Sequence, residues 1–380
     1  MTQQELALGT LLSRIADELN ITQTMQEKAI KSYTAVGQWL GDGIPYDVKI
    51  MPQGSMNLGT VIRPIDDRDD YDMDLVCLLR NGQKLSLLEI KNMVGNRLKE
   101  HKLYNHLLEK EGKRCWTMQY EEFHMDILPC VPRLEYFIEP YITDIKLTHK
   151  IADGYYEERF SNPYAYHIWF EKRMMDILMI QKREFAAKNQ VEIDKVPTYK
   201  MRTPLQKVIQ LLKRHRDICF QSNPDVAPIS IIITTLAAQA YGGETDVYEA
   251  LRNVLVKMPE HINCRNGVYW VENPVMKEEN FADKWALEPI KRDAFFKWVN
   301  RAQKELATDP LSCYGINTVA EHYKHLLGQA PVERAVNSLG NDVLTARKNG
   351  NLYISGLGGG LNVSQQKGDK QVKEHTFFGK

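Results

Sequence analysis

The sequence has no cysteine pairs at metal-finger spacing, no excess charge of either sign and no long apolar run. Its six cysteines (77, 115, 130, 219, 264 and 313) are scattered without a C-x-x-C. His261 and Cys264 stand at metal-like spacing but lack a second pair, so no zinc site is expected and the chain reads as a reduced intracellular protein. Lysine plus arginine number 49, and so do aspartate plus glutamate. That balance removes the electrostatic reason for tight binding to long DNA or RNA, and leaves only a local basic patch to serve such a purpose. The most apolar stretch, 228–240, is interrupted by Ser230, Thr234 and Thr235. It falls short of the roughly 20 apolar residues that span a bilayer, so no membrane partner is expected. Met1-Thr2-Gln3-Gln4-Glu5 lacks the basic and then apolar texture of a secretory leader, which makes the expected location cytoplasmic.

What is present is globular. The chain has 380 residues, 43% hydrophobic and 26% charged, which suits two domains or one large composite. Leu6, Leu8, Leu11, Leu12, Ile15 and Leu19, then Ala29, Tyr33, Val36 and Leu40, predict two helices broken near Asn20-Ile21-Thr22, with Thr22 as an N-cap. Gly41-Asp42-Gly43 ends the second. Tyr46–Met51 alternates like a half-buried strand, and Leu75–Leu79 is a continuous apolar run suited to a central one. Leu85–Leu108 returns to helical spacing, and Cys115–Tyr120 and Phe123–Leu128 are further strand candidates. From Pro163 helical periodicity dominates, including a helix expected over Phe281–Leu306. A mixed half (1–160, with the N-terminal helices) therefore precedes a helical half (161–356). The glycines from Gly358 and the polar residues after them predict a flexible tail over 357–380.

The residues with chemistry to offer begin at Gln53-Gly54-Ser55, where a strand gives way to a turn. Glycine lets a backbone approach a phosphate without a Cβ in the way, although a lone Gly-Ser marks ordinary turns as well. Asp72 and Asp74 are two apart, so on a strand both carboxylates point to one face. Two such charges need a compensating cation, and hard oxygen ligands suit Mg²⁺ or Mn²⁺. The rival is a solvated acidic loop, since Asp66, Asp67, Asp69 and Asp70 crowd the same stretch. Asp126 sits inside a strand otherwise built for burial, where an unpaired carboxylate is costly. Its partner is either a metal shared with Asp72 and Asp74 or a salt bridge to Arg114 or Arg133. Three acids on adjacent strands after a Gly-Ser turn form a template for two-metal phosphoryl transfer. Lys213-Arg214-His215-Arg216 reads equally as a phosphate-contacting run or a solvated helix face. Tyr155-Tyr156 and Tyr164 with Tyr166 read as base-stacking rings or as domain-interface filling.

Gly54-Ser55, Asp72-x-Asp74 and Asp126 together resemble the active site of the polymerase-β-type nucleotidyltransferases. Within them the chain is most similar to the cGAS/DncV-like nucleotidyltransferases (CD-NTases) of bacterial anti-phage (CBASS) signalling. Gly59-Thr60, Thr203-Pro204-Leu205-Gln206-Lys207 and the run 211–217 add to that likeness. The resemblance implies a mixed-sheet nucleotidyltransferase domain packed on a helical domain of the oligoadenylate-synthase/poly(A)-polymerase type. It implies that Asp72, Asp74 and Asp126 hold two Mg²⁺ (or Mn²⁺) ions, and that Asp126 helps deprotonate an attacking ribose hydroxyl. Gly54 and Ser55 would hold the β- and γ-phosphates, with Gln53 beside the donor nucleotide. A spine-helix lysine, Lys213 or alternatively Lys207, and Ser230 would also reach the triphosphate, Ser230 having the alternative role of a helix cap. The implied activity joins nucleoside triphosphates by 3′–5′ linkages into a cyclic di- or trinucleotide messenger, with ATP favoured, GTP or another NTP as alternatives, and an adenine-rich ring of three expected. A downstream effector would bind the product, and regulatory or tail-conjugating proteins are expected partners. The rival activities are a linear oligoadenylate synthase, an RNA-end nucleotidyltransferase and a catalytically inactive nucleotide-binding module.

Overall fold

The structure, a computed structural model, describes residues 1–65, 70–189, 201–354, 361–362 and 369–372. The acidic residues 66, 67 and 69, the glycines 358–360 and the terminal Phe377-Phe378-Gly379-Lys380 lie outside them. Among the described residues no helix is long and apolar enough to cross a membrane.

Two helices open the chain, α1 (Gln3–Glu18) and α2 (Gln23–Gly43). They break where the spacing of apolar residues predicts, and the Thr22 hydroxyl caps α2 by accepting from the Met25 N–H. Then come β1 (Val48–Gln53), the short helix α3 (Gly54–Leu58), β2 (Tyr71–Leu79), α4 (Leu87–Glu100), α5 (Lys102–Leu107), β3 (Trp116–Gln119) and β4 (Phe123–Pro132). A hairpin of β5 (Ile145–Ala152) and β6 (Tyr155–Ser161) completes the sheet. Its β6 is charged and has no fully buried residue, so it gives little alternating apolar signal, and no strand is expected there from the sequence. The sheet order is β1-β2-β4-β5-β6, with β3 also on β4. β2 and β4 run parallel and the other neighbours antiparallel.

The helical half holds α6 (Pro163–Asn189), α7 (Pro204–Cys219), α8 (Ser230–Ala240) and α9 (Val247–Lys257). Short strands follow: β7 (Asn263–Arg265), β8 (Val268–Trp270), β9 (Glu272–Asn273) and β10 (Met276–Asn280). The helix expected from Phe281 instead begins at Pro289, as α10 (Pro289–Ala302), and runs on as a π-helical stretch over Gln303–Thr308. Proline is favoured in a first helical turn, and it marks the boundary that apolar spacing alone missed. After α11 (Ile316–Leu327) and α12 (Gln329–Lys348), three two-residue strands pair: β11 (Tyr353–Ile354), β12 (Leu361–Asn362) and β13 (Lys370–Gln371). The expected tail is therefore pinned in part, with the Val372 N–H on the Leu352 carbonyl at 2.7 Å.

Two main cores form. Tyr71, Met73, Leu75 and Cys77 of β2, with Met125 and Ile127 of β4, face α2 and α4. The second core joins α1 to α6–α12. Leu8, Leu11, Leu12 and Ile15 of α1 are nearly or wholly buried in it, each contributing about 1.5–3 kcal/mol of burial. The two N-terminal helices thus divide: α1 serves the helical half and α2 the sheet.

Candidate active site

Strand alternation sends Tyr71, Met73 and Leu75 inward and leaves Asp72 and Asp74 on the opposite face, Asp72 exposed and Asp74 half-buried. Register then does what sequence spacing does not. Gln53 is paired with Asp74 across β1 and β2, Asp74 with Asp126 across β2 and β4, and Asp126 with Thr117 across β4 and β3. A single row of side chains thereby crosses four strands. The salt-bridge alternatives for Asp126 are absent: Arg114 donates to His149 Nδ1, and Arg133 pairs with Glu278 and Asp144. Asp126 instead accepts from the Thr117 hydroxyl at 2.5 Å. Beside Asp72, His124 Nε2 stands 2.9 Å from Asp70, which also accepts from Gln119 at 2.6 Å.

The acids repel one another. Burial and then the charges of Asp126 and Asp72 raise the Asp74 pKa from its ordinary 3.8 to about 6. Partial desolvation and Asp126 push Asp72 up as well. Three oxygen-donor side chains on one face, whose burial and mutual repulsion outweigh the pull of the nearby cations, fit a hard divalent cation such as Mg²⁺ or Mn²⁺.

Gly54 shows why the turn carries glycine. Its φ is +62°, and a Cβ there would lie 2.1 Å from Asp74 Oδ2. Gly54→Ala therefore must strain the backbone and displace the carboxylate. We expect turnover to fall on the order of 10²-fold, as misplacement by about 1 Å costs at a catalytic centre, with secondary structure by circular dichroism unchanged. Ser55 follows in α3, its carbonyl accepting from the Thr60 N–H at 2.9 Å.

From the helical half, α7 faces the acids. Lys213 is only 4% exposed and donates from Nζ to the Thr60 carbonyl and hydroxyl at 3.1 and 3.2 Å. Burial, and then Arg216, lowers its pKa to about 7. Lys207 points away, to Ser13 at 2.8 Å and Asp17 at 2.9 Å of α1. Ser230 is the first residue of α8 and makes no capping bond; Ile229 is the N-cap. Its hydroxyl instead accepts from Arg216 Nη1 at 3.0 Å, and Arg216 also donates to the Pro228 carbonyl and to Asp217. Both Lys213 and Arg216 act electrostatically on Asp72. Arg216, expected only as part of a run that either contacts phosphate or is solvated, is the cation beside Ser230. It lies one helical turn beyond Lys213, and that spacing is the signal that was available. The run 213–216 is not a solvated face, because Lys213, Arg214 and His215 are all buried. Tyr166, offered as a stacking ring, is also buried, with its hydroxyl 2.8 Å from Thr235.

Among the described residues, the group of three potential ligands gathered within 4.8 Å is elsewhere: His215, Cys219 and Glu305. The Trp298 indole N–H donates to His215 Nδ1 at 3.1 Å, and Nε2 meets Glu305 at 3.0 Å. An accepting Nδ1 puts the ring proton on Nε2, so neither nitrogen has a lone pair to give. This is a hydrogen-bonded brace between α7 and the π-helical stretch. His261 and Cys264 are not part of such a group.

A family model described as the nucleotidyltransferase domain of cyclic GMP-AMP synthase DncV-like proteins matches residues 48–129. A c-di-GMP synthase of Roseivirga ehrenbergii is 30% identical over 386 residues, covering 98% of this chain and 97% of that protein. The cyclic dinucleotide synthase CdnG of Bradyrhizobium diazoefficiens is 21% identical over 98% of this chain and 94% of its own length. The structure of that CdnG in complex with GTP superposes with a TM-score of 0.68 over 88% of this chain and 99% of that one, at 19% identity.

Proposed function

Since the chain belongs to the cGAS/DncV-like nucleotidyltransferase family, we propose that it joins two molecules of GTP by 3′–5′ linkages and closes them into c-di-GMP, with pyrophosphate leaving at each step. Guanine and a ring of two follow the activity for which the Roseivirga relative is named, over nearly the whole of both chains. They replace the ATP-derived, adenine-rich ring of three, for which no residue in the sequence speaks. The product would act as a second messenger for an effector in anti-phage defence.

The observation that carries the chemistry is the row Gln53, Asp74, Asp126, closed by Gly54 against the Asp74 carboxylate. Asp72, Asp74 and Asp126 would hold two divalent ions. When bound, such ions acidify an attacking hydroxyl and neutralise the charge gathering on pyrophosphate. Asp126, held by Thr117 through one oxygen, keeps the other for the proton of the acceptor ribose hydroxyl. Ser55 and the Gly54 backbone grip the β- and γ-phosphates, with Gln53 beside the donor nucleotide. From across the cleft between the domains (1–160 and 161–356), Arg216 and Ser230 grip the same phosphates. A guanidinium presents a planar fork to phosphate oxygens, and this pairing supports Arg216 over Lys213 and Lys207 as the cationic contact.

The test is to incubate the purified full chain with all four NTPs and Mg²⁺ or Mn²⁺ and identify products by mass spectrometry. The expected product has the mass of c-di-GMP and resists phosphatase, because ring closure leaves no terminal phosphate. A phosphatase-sensitive ladder, or product formed only when RNA is supplied, would overturn the reading.

A further inference from the structure

One face of α7 carries four polar side chains buried almost completely: Gln206 (7% exposed), Gln210 (0%), Lys213 (4%) and Arg214 (3%). Their spacing places them in a stripe along the helix. Each donates into the backbone of a single segment, the one that leaves α3. Gln206 reaches the Leu58 carbonyl at 2.9 Å, Gln210 the Val61 carbonyl at 2.8 Å and Lys213 the Thr60 carbonyl at 3.1 Å. Arg214 reaches the carbonyls of Arg63 and Pro64. Gln210 also donates to the Asn20 side chain at 2.8 Å, at the break between α1 and α2. Residues 60–64 belong to no helix or strand, and Thr60 and Val61 are buried. Their carbonyls would be costly to leave unpaired, and α7 supplies the partners. The ladder ends on the phosphate turn itself, because the Thr60 N–H donates to the Ser55 carbonyl. Gly59 completes the fit, since a Cβ there would lie 2.6 Å from Gln206 Nε2.

We propose that Gln206, Gln210 and Lys213 are positioning residues through which the helical half sets where Ser55 stands over the acids, so that Lys213 acts on the triphosphate through Thr60 and Ser55 rather than by contact. This rests on the reading of Ser55 as a phosphate ligand. The ladder couples the halves at the one place where the triphosphate must be gripped from both sides. A shift of α7 moves Arg216 and the Ser55 turn as one body.

A double-mutant cycle on the full chain tests it. Binding of a non-hydrolysable GTP analogue and of GMP is measured for Ser55→Ala, Lys213→Met and the pair. Lys213→Met is expected to weaken the analogue about tenfold and GMP by less than about twofold, because GMP lacks the β- and γ-phosphates that Ser55 holds. Added to Ser55→Ala, it should cost less than about threefold more. Losses that multiply in full would mean that Lys213 contacts phosphate itself, and the proposal would be wrong. Equal losses for GMP and the analogue, or no loss in Lys213→Met, would also overturn it. Ser55→Ala without effect would instead remove the phosphate-site reading, and this inference with it. Should Lys213→Met fail to fold, Gln210→Leu takes its place with the same expected pattern, since its contacts are Val61 and Asn20.

Discussion

Replacing Asp72 and Asp74 together by asparagine abolishes product formation, by at least about 10³-fold, and leaves a chain that melts no lower than wild type in EDTA at pH 7. Both halves of that result come from the same geometry. The two carboxylates share a face, Asp74 lies in register with Asp126, and the crowding lifts the Asp74 pKa to about 6. Metal-free folding at neutral pH therefore holds like charges together at a cost, which neutral side chains of the same shape relieve. The pH dependence has a defined sign. A carboxyl whose folded pKa lies above its unfolded value binds its proton more tightly when folded. In EDTA its contribution to stability therefore rises as pH falls from about 6 towards 3.8. Thermal melts across that window should show the rise in wild type and its attenuation in the double variant. Saturating Mn²⁺ should reverse the order at pH 7, raising the wild-type melting temperature and not that of the variant. Undiminished turnover of the double variant, or wild-type turnover in excess EDTA, would remove the acids from the chemistry.

Arg216→Ala raises the KM for the nucleoside triphosphate by about 10- to 100-fold, which is what a charge-assisted contact to phosphate is worth. Arg216→Lys restores part of that loss, because an ammonium keeps the charge without the planar fork. Ser230→Ala gives a smaller loss. Arg216 would still hold the Pro228 carbonyl and Asp217 without the serine. Lys207→Ala serves as the contrast. It cuts the tie from α7 to Ser13 and Asp17 of α1, costs about 1 kcal/mol of stability or less, and leaves the KM unchanged. Steady-state kinetics on the four variants decide the point. A Lys207 effect as large as that of Arg216 would relocate the triphosphate.

Much of this site is legible before any folding is considered. Asp72 and Asp74 share a face because strand side chains alternate, whatever the sheet around them. Asp126 stands out because a lone acid in Phe123–Leu128 has no cheap burial. Gly54 follows a strand at a turn, where only glycine tolerates the conformation adopted. The break at Thr22 and the helices of the C-terminal half are written in apolar spacing and caps. Where spacing failed, the cause was local: Pro289 marked the start of α10, and in the β5–β6 hairpin only Ile145 and Leu147 alternate into a core, too short a signal beside the charged β6.

Periodicity and chemistry along the chain therefore determined which residues could act, and to which side of its own strand or helix each would point. They left open which of those residues would meet. Asp74 and Asp126 are fifty-two positions apart, and their pairing rests on the parallel register of β2 on β4, which is decided by packing Met73, Leu75, Met125 and Ile127 against α2 and α4. The choice among Lys207, Lys213 and Arg216 depended on the rotation of α7 as it docked. The same helix turns Lys207 to α1, Lys213 to Thr60 and Arg216 to Ser230, and a single helix cannot specify its own rotation. That rotation is set where the chain is most densely buried, along the stripe from Gln206 to Arg214, by loop carbonyls that had to find donors once water was excluded.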